Sequence, residues 1–568
     1  MTDTEKLSII CENDGRTYEV ESGCTLSELL GMTGISTIHS RSGEDLPVLA
    51  AMVDNKLKEL SYKLRLSHRV EFVAFDNDNG RRCYSRSLTF VLQHAVRGLW
   101  PDKLLAVHHA LPSGLYCELL NPDHSVYDPS AEELSVLKGR MKEIVAADIP
   151  FVKTKMSTED ACAIFESHGQ HYKAELQRSI GSFFCSVYWL GDDADSFHGP
   201  LVPSTGYLQN FDILEFSEGF CLQMPVANAF SQLIGLKPQG KISDTLKEYS
   251  NWCNVLGARG IGTLNRAILA GAGISLINLA EALHERKYAA IADKIYSERD
   301  RVRIVFIAGP SSSGKTSSSL RLATQCKVLG LNPKVIELDN YFVDRENTPR
   351  DEFGEYDFES LYAMDLPFLN EQLNDLIDGA EVELPKYDFK TGKRVFTGKR
   401  MKLEANDILI MEGIHALNPE MVTGVDQSRV FRVYVSALTS LNVDENNNIS
   451  TSDNRLLRRL IRDNRVRGVT PEETIMRWAS VRRGENRNIF PFQENADAVF
   501  NSALLFELPM LKYYAEPLLR RISPASPAYA EAVRLLKFLE YIVALQPSEI
   551  EAIPPTSIMR EFIGGQTL

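Results

Sequence analysis

Between Val302 and Leu329 the chain reads VRIVFIAGPSSSGKTSSSLRLATQCKVL. An apolar run (Ile304, Val305, Phe306, Ile307) gives way to Gly309, Pro310, Ser311, Ser312, Ser313, Gly314, Lys315, Thr316 and Ser317. A helical stretch follows, closed by Gly330 with Pro333 just beyond. Strand, glycine-bounded loop and helix in this order are the setting of a phosphate-binding loop. Gly309 and Gly314 let the backbone curl so that its N–H groups and the helix N-terminus face a polyphosphate. Lys315 adds a mobile positive charge, and the Thr316 hydroxyl suits Mg²⁺. The stretch predicts α/β architecture with a doubly wound, mostly parallel sheet.

The strand predicted next, within KVIELDNYFVDRE, ends at Asp339. A residue at the carboxyl end of a strand beside the loop points into the ligand crevice of such a sheet, which places Asp339 over the phosphates. A second apolar strand, DILIMEG over Asp407–Gly413, exits at Glu412. Thr316, Asp339 and Glu412 together offer the oxygen ligands that Mg²⁺ prefers, with waters completing the shell. Between these strands lies LPKYDFKTGKR, whose Tyr387 and Phe389 offer aromatic faces suited to a planar base.

The whole chain sets bounds on the rest. Its 568 residues predict three or four units, and a formal net charge of −14 argues against a general coat for nucleic acid or anionic membrane. Nine scattered cysteines without a CxxC pair indicate neither a disulfide framework nor a zinc knuckle, so a reducing cytoplasm is expected. The acidic start MTDTEKLSII is not that of a signal peptide, and the uncharged stretch Ala267–Ala280 is too short to span a bilayer. No membrane partner is expected.

Against that acidic background Asn454–Arg487 holds ten arginines and no lysine. Leu456, Leu457, Leu460 and Ile461 predict an apolar helix face that leaves Arg455, Arg458, Arg459 and Arg462 on another. Arginine suits bidentate phosphate contact, and a mobile arginine-bearing lid supplies positive charge to a phosphoryl group in transfer while excluding water. Arg458 and Arg462 are therefore candidate catalytic residues, and Arg467 a candidate ATP contact.

GPSSSGKTS, LDNYF, EYDF, LPKYDFKTGKR, MEGIHAL and the arginine-rich helix, in that order over roughly residues 301–509, resemble the uridine kinase and phosphoribulokinase family. That resemblance implies that Asp339 receives the proton of a nucleoside 5′-hydroxyl and that Asp357 holds the ribose hydroxyls. It implies that Tyr387, Phe389 and Phe342 line the acceptor pocket, and that Thr316, Asp339 and Glu412 surround Mg²⁺. Uridine kinases carry a base-reading histidine where this chain has Gly392.

The front of the chain resembles a different family. Short apolar runs over Leu7–Phe75 resemble the TGS domain, the β-grasp module of threonyl-tRNA synthetases, and SRSLTFVLQHAVRGLW onward resembles those enzymes' second, editing domain. That domain's HxxxH and CxxxH positions are here Arg86, Phe90, Phe197 and Leu201. Two phenylalanines can neither ligate metal nor move a proton, so editing and zinc are expected to be lost. His108 and His109 adjoin in a predicted strand and are expected to point to opposite faces.

The expected units are a β-grasp domain (1–78), an editing-like α+β domain (79–225), a helical connector (226–300), a kinase domain (301–524) and a tail (525–568). The function expected from this organisation is ATP- and Mg²⁺-dependent transfer of the γ-phosphate to a nucleoside 5′-hydroxyl. Alternatives are another small hydroxylated acceptor, such as a sugar phosphate, or a nucleotide-switched RNA-binding regulator. RNA contact through the N-terminal module and a homo-oligomer are the further partners this reading admits.

Overall fold

The computed structural model describes residues 6–226, 229–236, 240–352 and 354–568. The hairpin of Lys6–Cys11 and Arg16–Glu21 turns through Gly15 at φ 70°, a left-handed position that favours glycine. Strict alternation along its first strand buries Leu7, Ile9 and Cys11 on one face. Arg69–Val73 lies parallel to that strand and antiparallel to Ala50–Val53, giving a five-stranded mixed sheet. The helix Leu26–Thr33 enters through a capping box between Thr25 and Glu28, and buries Leu26 and Leu29 in the same core. This is the β-grasp pattern expected.

The second unit wraps the helix Asp78–Leu99 with two antiparallel sheets. Of the four positions that replace the editing set, Phe90, Phe197 and Leu201 are core residues, and Phe90 packs on Phe197 and Phe151 with ring centroids 5.6 and 5.9 Å apart. Arg86 donates to the Pro200 carbonyl at 2.9 Å. Where a metal cradle would need polar ligands, this chain has apolar packing. Metal analysis of the purified chain should find no stoichiometric zinc, and one zinc per chain would contradict this.

The elements of the C-terminal half, in chain order, are α1 (Gly240–Val255), α2 (Gly273–Ser297), β1 (Ile304–Ala308), α3 (Lys315–Val328) and β2 (Asn332–Glu337). They continue with β3 (Asp407–Glu412), β4 (Val430–Ser436), α4 (Thr451–Arg462), α5 (Pro471–Asn488), β5 (Ala498–Asn501), α6 (Glu507–Leu519), α7 (Tyr529–Glu540) and α8 (Met559–Ile563). The five strands form an all-parallel sheet in the order β2-β3-β1-β4-β5, and β1 and β3 are buried at every position. A parallel sheet covered on both faces reads as continuous apolar runs, which is why IVFIA and DILIM stood out. One expectation is corrected here: β2, which leads to Asp339, is not the neighbour of β1. β3 lies between them, so Glu412 is at the strand exit nearest the loop.

The segment expected as a connector is part of this half. Ile242 and Leu246 of α1 share a core with Ile304 and Phe306 of β1. On α2, the Tyr288 hydroxyl is 2.9 Å from Ser318 Oγ, and Glu281 and Glu285 pair with the buried Arg321 of α3. The two helices thus complete the layers over the sheet. The tail is also structural: Arg534 on α7 binds Asp453 of α4 and Glu531, which in turn pairs with Arg82 of the N-terminal half.

Candidate active site

The loop between β1 and α3 takes up left-handed backbone at Ser312 (φ 58°) and Gly314 (φ 86°), as a curl with its amides forward requires. At Gly309 a Cβ would stand 2.0 Å from the Val435 carbonyl oxygen, so glycine is needed there for close packing against β4. The loop's carbonyls are held from behind. Arg455 donates through Nε to Ser311 O at 2.9 Å, Arg458 to Ser312 O at 3.3 Å, and Ser502 Oγ to Ser313 O at 2.5 Å. Glu485 accepts from Ser311 N at 2.9 Å. Tying these carbonyls back removes negative dipoles from the side a phosphate would approach.

Arg455 and Arg458 are fully buried, paired with Glu485 and Glu507 respectively. This places Arg458 behind the loop, not on a mobile lid in front of it, because Glu507 and the Ser502 and Ser312 carbonyls occupy its donors. The predicted polar face of α4 is packed against α5, α6 and α8. The partly exposed arginines are different. Arg462 and Arg467 lie around Asp463, at 2.9 and 3.5 Å, and Arg459 reaches Ser311 Oγ at 2.8 Å while also facing Asp463.

Lys315 opens α3, its Nζ 3.3 Å from Pro310 O, and Thr316 Oγ1 donates to Glu412 Oε1 at 2.7 Å. Burial pushes the Glu412 carboxyl up to about 7, with Asp339 adding to the rise and Lys315 opposing it. Asp339, in the 3-10 turn after β2, is also raised by burial, against the pull of Lys315 and Arg467. Two buried carboxyls, of which Asp339 raises Glu412, offer a place where a divalent cation would add to the positive charge of Lys315. Among the described residues no three acidic, histidine or cysteine side chains converge into a closed metal cage. Mg²⁺ needs none when held by one or two carboxylates, a hydroxyl and substrate phosphates, so the set Thr316, Glu412 and Asp339 fits it. The buried hydroxyls of Ser312 and Ser313, without partners, fit a polyphosphate in the loop.

Glu359 belongs to this group and was missed in the sequence. Burial and Glu485 raise its carboxyl to about 7, while Arg459 and Lys315 oppose the rise. Asp357, the residue singled out in that motif, accepts from Glu359 N at 3.1 Å and so shapes the turn that carries Glu359.

On the acceptor side Phe342, Tyr387 and Phe389 stack edge to face, with centroids 5.6 and 5.1 Å apart. Phe342 and Tyr387 are buried and Phe389 is 59% exposed, so only the last offers a free face. Gly392 is left-handed (φ 70°), and a Cβ there would meet Arg345 at 2.8 Å. Arg345 fills the space that a side chain at position 392 would enter and donates to Phe389 O at 2.6 Å. Gly392→His is therefore expected to destabilise the fold by about 1–3 kcal/mol through backbone strain. Denaturant unfolding checks this, and unchanged stability would contradict it.

Away from this site, a bulge between Val107 and Ala110 turns both His108 and His109 onto Tyr116, with centroids 5.5 and 5.3 Å away. The opposite-faces expectation fails for that reason. His108 pairs with Glu118 at 2.8 Å, and both rings line a cavity of about 390 Å³ at the seam with the C-terminal half.

With this geometry in place, residues 304–505 match the Phosphoribulokinase / Uridine kinase family model. Those residues, within the C-terminal half, are similar to that family's domain. The N-terminal region is similar to threonine–tRNA ligases. That of Carboxydothermus hydrogenoformans is 32% identical over 173 residues, 30% of this chain and 27% of the relative. That of Clostridium kluyveri is 27% identical over 208 residues, 36% of this chain and 31% of the relative. The chain thus spans less than a third of these relatives' length. Among solved structures, a possible uridine kinase from Bacillus stearothermophilus aligns at 19% identity over 35% of this chain and 88% of its own, with a TM-score of 0.24. The D-glycerate 3-kinase of Cryptococcus neoformans aligns at 14% identity over 45% and 87%, with a TM-score of 0.21. Among the described residues no helix is long and apolar enough to cross a membrane.

Proposed function

We propose that the protein transfers the γ-phosphate of ATP to the 5′-hydroxyl of a nucleoside. The observation that carries this reading is the convergence of Lys315, Asp339 and Glu412 at the mouth of one phosphate loop. In the proposed reaction the loop amides and Lys315 bind the polyphosphate. Asp339 accepts the acceptor hydroxyl's proton, which makes the oxygen nucleophilic as it attacks. Thr316 and Glu412 would hold Mg²⁺, which when bound neutralises charge on the phosphates. Arg459, Arg462 and Arg467, gathered around Asp463 and partly exposed, are available to meet a phosphoryl group, and Phe389 gives a planar base a face to rest on.

Arg345 favours a second acceptor class. A guanidinium packed beside Gly392 and Phe389 suits a hydroxylated molecule with an anionic group, such as a sugar phosphate. A screen of nucleosides and sugar phosphates with ATP and Mg²⁺, following ADP release, separates the two. The lead reading expects turnover with nucleosides, and turnover with sugar phosphates alone would replace it with the second.

A further inference from the structure

The last twelve residues lie on the phosphate loop. Ser317, third residue of α3, donates its hydroxyl to Glu561 Oε2 at 2.6 Å and its backbone N–H to the same oxygen at 3.4 Å. Gln566 Nε2 donates to Ser317 Oγ at 2.8 Å. Two consecutive left-handed glycines, Gly564 (φ 98°) and Gly565 (φ 78°), fold the chain back to bring Gln566 there. Ile558 packs so closely on Gly314 that a Cβ would stand 2.7 Å from its Cγ2. The segment is anchored from three sides. Ser557 donates to Glu281 of α2, Arg465 donates to the Glu561 and Phe562 carbonyls at 3.0 and 2.9 Å, and the Arg458 guanidinium lies over the Phe562 ring at 5.2 Å. Ile558, Met559 and Phe562 are fully buried.

The position of the carboxylate matters. The free N–H groups at the start of α3 are the donors a phosphate-binding loop presents to the α- and β-phosphates, and the helix end attracts negative charge of any origin. Glu561 is an anion already seated on one of these donors. We infer that the C-terminal segment is an autoinhibitory gate, in which Glu561, braced by Gln566, competes with nucleotide phosphate for Ser317 and must withdraw for ATP to seat fully. This rests on nucleotide binding at the loop and adds a control on it. The anchors at Ser557, Phe562 and Arg465 hold the backbone in place while the Glu561 side chain swings off Ser317, and the glycine pair lets Gln566 leave with it. Arg465 links the gate to the arginine cluster, since it continues the chain from Arg462 to Arg467.

Glu561→Gln in the full chain keeps length and hydrogen-bonding capacity and removes the charge. ATP affinity, measured by calorimetry with Mg²⁺, should tighten roughly three- to tenfold, the range expected for lifting an anion from a helix N-terminus. Turnover at saturating ATP should stay near that of the parent. A chain ending at Gly564, which keeps the buried Ile558, Met559 and Phe562 and loses Gln566, should shift affinity in the same direction. Unchanged or weaker ATP binding in Glu561→Gln would overturn the gate and make the segment a brace for the loop. ATP binding to neither parent nor variant would overturn the kinase reading itself, and the gate with it.

Discussion

Asp339→Asn is expected to lower turnover by about 10²–10⁴, the usual worth of a positioned general base. The substitution preserves shape and removes both the proton acceptor and one negative charge from the group formed with Glu412 and Lys315. Burial already raises the Asp339 carboxyl, against the opposing pull of Lys315 and Arg467, which suits a group that must take up a proton. Single-turnover kinetics with the best acceptor from the screen isolate the transfer step from product release. A rate within a few-fold of the parent would remove Asp339 from the chemistry.

Arg458→Leu is expected to cost about 3–5 kcal/mol of stability, because it leaves the Glu507 carboxylate buried without its partner. Glu507 is 1% exposed, and the same change frees the carbonyls of Ser312 and Ser502 that Arg458 holds. The loop should loosen along with the core. This outcome separates two roles for the same residue. A phosphate-contacting arginine in a lid would lose activity at unchanged stability, whereas the buried brace seen here should lose both, with the larger signal in denaturant unfolding. Arg462→Leu, by contrast, removes a partly exposed side chain and should leave the unfolding midpoint nearly unchanged.

How much of this was legible in the sequence follows from how local each feature is. The phosphate loop was fully readable, since strand, glycines, lysine and helix are contiguous and each carries its own physical requirement. Glu412 was readable as the polar residue that ends an apolar strand, and Asp339 as an acid near a strand end, although β2 stops at Glu337 and Asp339 lies in the turn beyond it. The order of those strands was not, because which strand neighbours β1 depends on pairing between segments about a hundred residues apart. The arginines of α4 show the same limit. Helical periodicity put Arg455 and Arg458 on a polar face, but their burial depends on Glu485 and Glu507, which are distant in sequence and on other helices. His108 and His109 defeated simple alternation because a bulge adds a residue that no composition signal marks. The tail carried no motif at all. Its Glu561 acquires meaning only once Ser317 lies beneath it.

The central claim is that one loop binds ATP while a separate carboxylate activates the acceptor, and paired measurements on two variants test it most directly. ATP affinity and kcat should be determined for Lys315→Met and Asp339→Asn with the same acceptor. Lys315 meets the polyphosphate before and during transfer, so Lys315→Met should weaken ATP binding and turnover together. Asp339→Asn should bind ATP nearly as the parent does and fail to turn over. Near-normal kcat in Asp339→Asn would contradict the account and favour a protein in which the loop serves as a nucleotide-binding switch.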